Sequence, residues 1–108
     1  MTTMKLFLTT LAAIGVALTD AQVASADEDM YLTELRQKVA YPLTDAQAFQ
    51  LGQVACNALR EGINSGLSMG QSRHQADQAV GQAQNGMGLQ LSMADGMFLT
   101  EAAAHHLC

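Results

Sequence analysis

Apolar positions recur along this chain at helical spacing, and no stretch alternates apolar and polar residues as a half-buried strand would. Four segments carry the pattern when projected at about 100° per residue. In residues 30–39, Tyr31, Leu32, Leu35 and Val39 share one face, while Glu34 and Lys38 form an i,i+4 pair on the other. Asp29 is placed to cap this helix, and Tyr41-Pro42 to end it, because a residue before proline avoids helical geometry. In residues 46–61, Gln50, Gln53, Asn57, Arg60 and Glu61 crowd one arc and apolar residues fill the rest. Thr44 with Gln47 spells a capping box, and Gly62 stands where a left-handed C-cap is wanted. Residues 69–84 carry a narrow stripe of Met69, Ala76, Ala79, Val80 and Ala83 behind a second capping box, Ser68 with Gln71. Gly70 and Gly81 make this the least stable of the four, since an interior glycine costs about 1 kcal/mol against alanine. The run Asn85-Gly86-Met87-Gly88 terminates it. Residues 93–107 follow a cap at Ser92 and Asp95. Met93, Met97, Ala104 and Leu107 share one face there, with Phe98 and Leu99 off it, so this helix reads as apolar nearly all round and central.

The pattern implies an all-α fold, a compact bundle of three to four short helices. At 108 residues one small domain is the ceiling. The opening segment reads as an address rather than as part of that domain. Lys5 and the amino terminus form a short positive region, and residues 6–18 run without a charge. That run is short of the roughly 20 residues a spanning helix needs. Small residues ending in Ala24-Ser25-Ala26 suit signal peptidase, which places cleavage before Asp27. Domain organisation is therefore a cleaved secretory signal peptide over 1–26 and a small helical domain over 27–108, with no transmembrane segment after cleavage. The expected location is extracellular or in the cell envelope.

Charge narrows the partners. Lys plus Arg is 5 and Asp plus Glu is 10, a formal charge of −5. That balance disfavours nucleic acid and anionic membrane surfaces. The cysteines bear on stability. A chain this small buries little surface and gains from a staple, and export permits a disulfide. Cys56 lies on the apolar side of the second helix, and Cys108 continues the Met97 face of the fourth. An intrachain bond between Cys56 and Cys108 follows, with intermolecular pairing through Cys108 as the alternative.

Several residue groups suggest chemistry, and each has a plainer explanation. Gly66-Leu67-Ser68-Met69-Gly70 spells the G-x-S-x-G of serine hydrolases, but that motif needs a strand-to-helix turn of a parallel sheet. Ser68 is accounted for as a helix cap. His105, His106 and Cys108 suggest zinc, yet adjacent histidines diverge by about 100° on a helix, and two histidines in a last turn suit the helix dipole. Tyr31, Tyr41, His74 and His105 are conceivable haem ligands, with nothing in their spacing that selects haem. Five methionines follow residue 26, and thioethers bind Cu(I). Met69, Met93 and Met97 fall on faces read as core, where methionine fills irregular gaps.

The chain resembles the small secreted mycobacterial proteins of the domain of unknown function 732 family. The resemblance runs from Asp29 to Cys108. It is carried by Asp29-Met30-Tyr31-Leu32 with Leu35, by the G-x-V-x-C-x-x-L-x-x-G string of Gly52, Val54, Cys56, Leu59 and Gly62, and by Phe98, Ala102 and Cys108. It implies export, a helical fold and a disulfide between the two cysteines, and it implies no activity. With no triad, no paired-carboxylate cleft, and small core residues that argue against a deep pocket, a non-enzymatic interaction module is expected. It would be a monomer without a cofactor, binding a protein or a small apolar ligand. The alternative is an exported carrier of a metal ion or haem.

Overall fold

The computed structural model describes residues 27–108, so the signal segment and its cleavage site lie outside the described residues. Among those residues there are four helices and no strand: α1 (27–38), α2 (Asp45–Asn64), α3 (Met69–Gly86) and α4 (Met93–His106). None is long and apolar enough to cross a membrane.

The helix starts follow from capping chemistry. Thr44 Oγ1 accepts from the Gln47 amide at 3.1 Å, and Gln47 Oε1 accepts from the Thr44 amide at 3.0 Å. Ser68 and Gln71 repeat the arrangement. Ser92 Oγ accepts from the Asp95 amide at 3.0 Å. Each box satisfies backbone donors that a helix start leaves unpaired. Asp29 does not cap α1. It lies inside that helix, and its carbonyl accepts from the Thr33 hydroxyl.

Gly62 is likewise not a C-cap. α2 runs past it, and Gly66, at φ +88°, takes the left-handed position. The Leu67 amide bonds the Gly62 carbonyl and the Gly66 amide bonds the Ile63 carbonyl, the paired closure of a Schellman motif. Gly62 serves packing instead. A Cβ there would stand 2.8 Å from Ser72 Cβ and 3.0 Å from Ser72 Cα, so α3 crosses where α2 has no side chain. Gly52 plays the same part toward α1. A Cβ there would lie 2.7 Å from the Tyr31 hydroxyl, which passes over α2 to donate to the Ala48 carbonyl.

α2, rather than α4, is the central helix. It buries Ala48, Leu51, Gly52, Ala55, Cys56, Leu59 and Gly62, and its polar arc faces solvent. Around it the core gathers Tyr31, Leu32 and Leu35 from α1, Val80 from α3, and Leu99, Ala102 and Ala103 from α4. Burial pushes the Tyr31 phenol well above the usual tyrosine range. Cys56 is bonded to Cys108 with their Cα atoms 5.6 Å apart, tying the end of α4 to the middle of α2.

α4 turns toward the core a face different from the expected one. Asp95, Leu99, Ala102 and Ala103 point inward, while Met93 is 88% exposed and Met97 56%. Met69, at the start of α3, is exposed too. Small alanines let α4 approach α2 closely, and methionines at that contact would hold the helices apart. Asp95 adds a polar reason. Its carboxylate accepts from the amides of Ala40 at 3.1 Å and Tyr41 at 3.2 Å, pinning the chain where it leaves α1. Satisfying two amides with one charged acceptor outweighs the burial of that carboxylate.

Candidate ligand-binding groove

Turning the methionines outward creates a groove. It lies between α3 and α4, has a volume of about 560 Å³, and falls within the range of small-molecule sites. Val80 from α3, Leu91 from the connecting loop, and Met93 and Met97 from α4 supply its apolar surface. The two methionines are four residues apart, so their flexible, polarisable thioethers lie on one side of α4. The expectation that small core residues leave no room for a pocket is corrected here.

His74, Asp77 and Gln84 are polar members of the lining. Gln84 Oε1 accepts from the Leu91 amide at 3.1 Å and fixes the loop at one end. His74 Nε2 sits 3.3 Å from Gln78 Nε2 at the exposed rim. Asp77 Oδ1 is buried and has no hydrogen-bond partner among the described residues. No Lys or Arg lines the groove.

The other candidate residues are dispersed. Ser68 caps α3 on an exposed helix start. The Tyr31 hydroxyl is committed to Ala48 inside the core, so it faces no ligand. Tyr41 is half-buried against the core, apart from the groove. Cys108 is oxidised, which removes the thiolate from any set with His105 and His106. His106 reaches across to Glu34, with Nε2 3.0 Å from Oε1, while His105 lies on the exposed side.

Glu34, Glu101 and His105 place ligand-type atoms within 4.8 Å of one another, a grouping not evident in the sequence. A cation already serves its carboxylates: Lys38 Nζ is 3.4 Å from both Glu34 and Glu101. Burial opposes ionisation of Glu34, but hydrogen bonds from His106 and Lys38, with the Lys38 charge, outweigh it and hold its carboxyl below the ordinary glutamate value. The same two carboxylates raise the Lys38 ammonium above its ordinary value. This cluster is an interhelical latch between α1 and α4.

Sequence reasoning missed Asp77 and the groove. The available signal was the pair Met93 and Met97 beside a second apolar face, Leu99 with Ala102 and Ala103, on the same helix. Only one of those faces could be buried on α2. Compared with protein-family models, curated proteins and solved structures, the chain matches none.

Proposed function

We propose that this protein is an exported, non-enzymatic binding module that holds a small apolar or amphipathic ligand between α3 and α4, and that it belongs with the secreted proteins of the domain of unknown function 732 family that it resembles. The observation that carries the binding role is the groove, with Met93 and Met97 exposed on one wall and Val80 and Leu91 beside them. A monomeric soluble protein seldom leaves neighbouring large apolar side chains exposed without a use for them. The signal-like pattern of residues 1–26 and the Cys56–Cys108 bond support export, because disulfides persist in oxidising compartments.

Native mass spectrometry of protein recovered from the medium of an exporting host tests the proposal. The expected species begins at Asp27, carries one disulfide, is monomeric, and retains a small organic ligand that Gly81→Leu displaces. A bare protein that takes up no ligand from a host lipid extract would overturn the binding role. Retention of residues 1–26 would overturn export.

One observation favours a second reading, a soft-metal carrier. His74 shares the groove with the two thioethers, and thioether and imidazole donors suit Cu(I). Competition with bicinchoninate in ascorbate tests it. Withdrawal of one Cu(I) per chain, lost in Met97→Leu, supports the carrier; no withdrawal removes it.

A further inference from the structure

Gly81 and Gly96 both line the groove, one on each helix. A Cβ at either position would meet nothing within 4 Å, so neither glycine serves close packing as Gly52 and Gly62 do. Neither has a positive φ, unlike Gly66 and Gly88. Glycine inside a helix destabilises it relative to alanine. Gly70 and Gly86 also meet nothing, but they lie at the two ends of α3, where that penalty is small. Gly81 and Gly96 instead leave helix backbone bare on both sides of the groove, so a ligand body can lie between α3 and α4.

The lining also selects the ligand's charge. Asp77 Oδ1 is sequestered without a hydrogen-bond partner, and no ion pair reaches Asp77 among the described residues. A buried carboxylate oxygen without a donor is costly. The surrounding groove surface is apolar, and the whole chain is acidic at −5, which disfavours an anionic ligand.

We propose that the α3/α4 groove takes an amphiphile bearing a protonated amine, its apolar body against Met93, Met97, Val80 and Leu91 and its ammonium donating to Asp77. This rests on the groove being the binding site proposed above.

The experiment follows the 13C-labelled methionine methyl groups of the disulfide-closed protein during titration with decylamine, 1-decanol and decanoate, each below its aggregation threshold. Decylamine is expected to shift the Met93 and Met97 methyls saturably and to bind about tenfold more tightly than decanol or decanoate, the advantage of a charge-assisted hydrogen bond. Asp77→Asn should erase that preference and leave decanol binding unchanged. Gly81→Leu should abolish binding of all three while leaving the melting temperature equal or higher, so that lost binding is separable from unfolding. If decanol binds as tightly as decylamine, the ammonium assignment is wrong and the groove stands. If none of the three moves Met93 or Met97, both are wrong. Shifts spread over all the methionines without saturation would mean general attraction to an acidic surface, and would also overturn the proposal. Shifts that track protein concentration alone would make a second copy the occupant.

Discussion

Replacing Gly62 separates two explanations of why a glycine stands there. A Cβ at this position would meet Ser72 Cβ at 2.8 Å and Ser72 Cα at 3.0 Å, closer than packed carbons tolerate, and one of those atoms is backbone. α2 and α3 must then move apart. Overpacking of this kind costs about 1–3 kcal/mol. Alanine recovers about 1 kcal/mol of helix propensity over glycine, so Gly62→Ala should destabilise by a net of about 1 kcal/mol. Gly70→Ala, whose Cβ meets nothing, should be neutral or stabilising by less than about 1 kcal/mol. Ser72 is the deciding partner. Its hydroxyl is buried without a hydrogen bond, so removing it sacrifices little. In a Ser72→Gly background, Gly62→Ala should turn neutral or stabilising, a coupling of at least about 1 kcal/mol. Urea denaturation of the four proteins in this cycle reads that coupling, with constant m-values confirming that the folded states are comparable. A coupling below about 0.5 kcal/mol would refute the close-contact account. So would a Gly62→Asn variant as stable as wild type, since asparagine tolerates a left-handed cap but not this crossing.

Two further outcomes concern the latches of the bundle. The Cys56–Cys108 bond spans a sequence separation of 52, for which loop closure in the unfolded chain gives about 4 kcal/mol. Replacing both cysteines by alanine should therefore remove much of the stability of so small a domain, and an unchanged melting temperature would defeat the staple argument. Glu34 ionises more readily in the folded chain than its ordinary value of 4.5, so its stabilising contribution is complete above that value and disappears as pH falls through the lower folded-state value. Glu34→Gln should be less stable than wild type near neutrality, and the difference should vanish under acid. Equal separation of the two denaturation curves at every pH would show that the carboxylate charge is irrelevant.

The helix count, the capping boxes and the solvent face of α2 were legible because each depends on residues within a turn or two of one another. The end of α2 was less legible. Two glycines, Gly62 and Gly66, lie close enough to serve as its cap, and the choice between them rests on where α3 crosses α2. Within the G-x-V-x-C-x-x-L-x-x-G string, Gly52, Cys56, Leu59 and Gly62 all turn to the buried side of α2, so the spacing records one helix face meeting its neighbours. The orientation of α4 was hidden for a different reason. A helix with apolar residues on every side carries no periodic signal to orient it, and the group that decides it, Asp95, has its partners 54 and 55 residues away. The candidate groove inherited that difficulty, because Met93 and Met97 become groove residues only once Leu99 and Ala103 are fixed as core residues.

These fixings bear on whether the groove is preorganised. α4 is held to α2 by the Cys56–Cys108 bond at one end, and by Asp95 to the chain leaving α1 near the other. α3 is held to α2 where Ser72 sits over Gly62, and its far end is tied to the connecting loop through Gln84 and Leu91. α3 and α4 make less contact with each other than either makes with α2. Both walls of the groove are thus anchored to a shared central helix, and the seam between them is the part of the bundle left unfilled. A ligand entering that seam does not have to order the walls first, so little of its binding free energy is lost to conformational entropy. The small residues that leave this domain with a thin core are then also what allow it to hold an open groove, because alanine and glycine contacts set α3 and α4 on α2 without large side chains to fill the space between them.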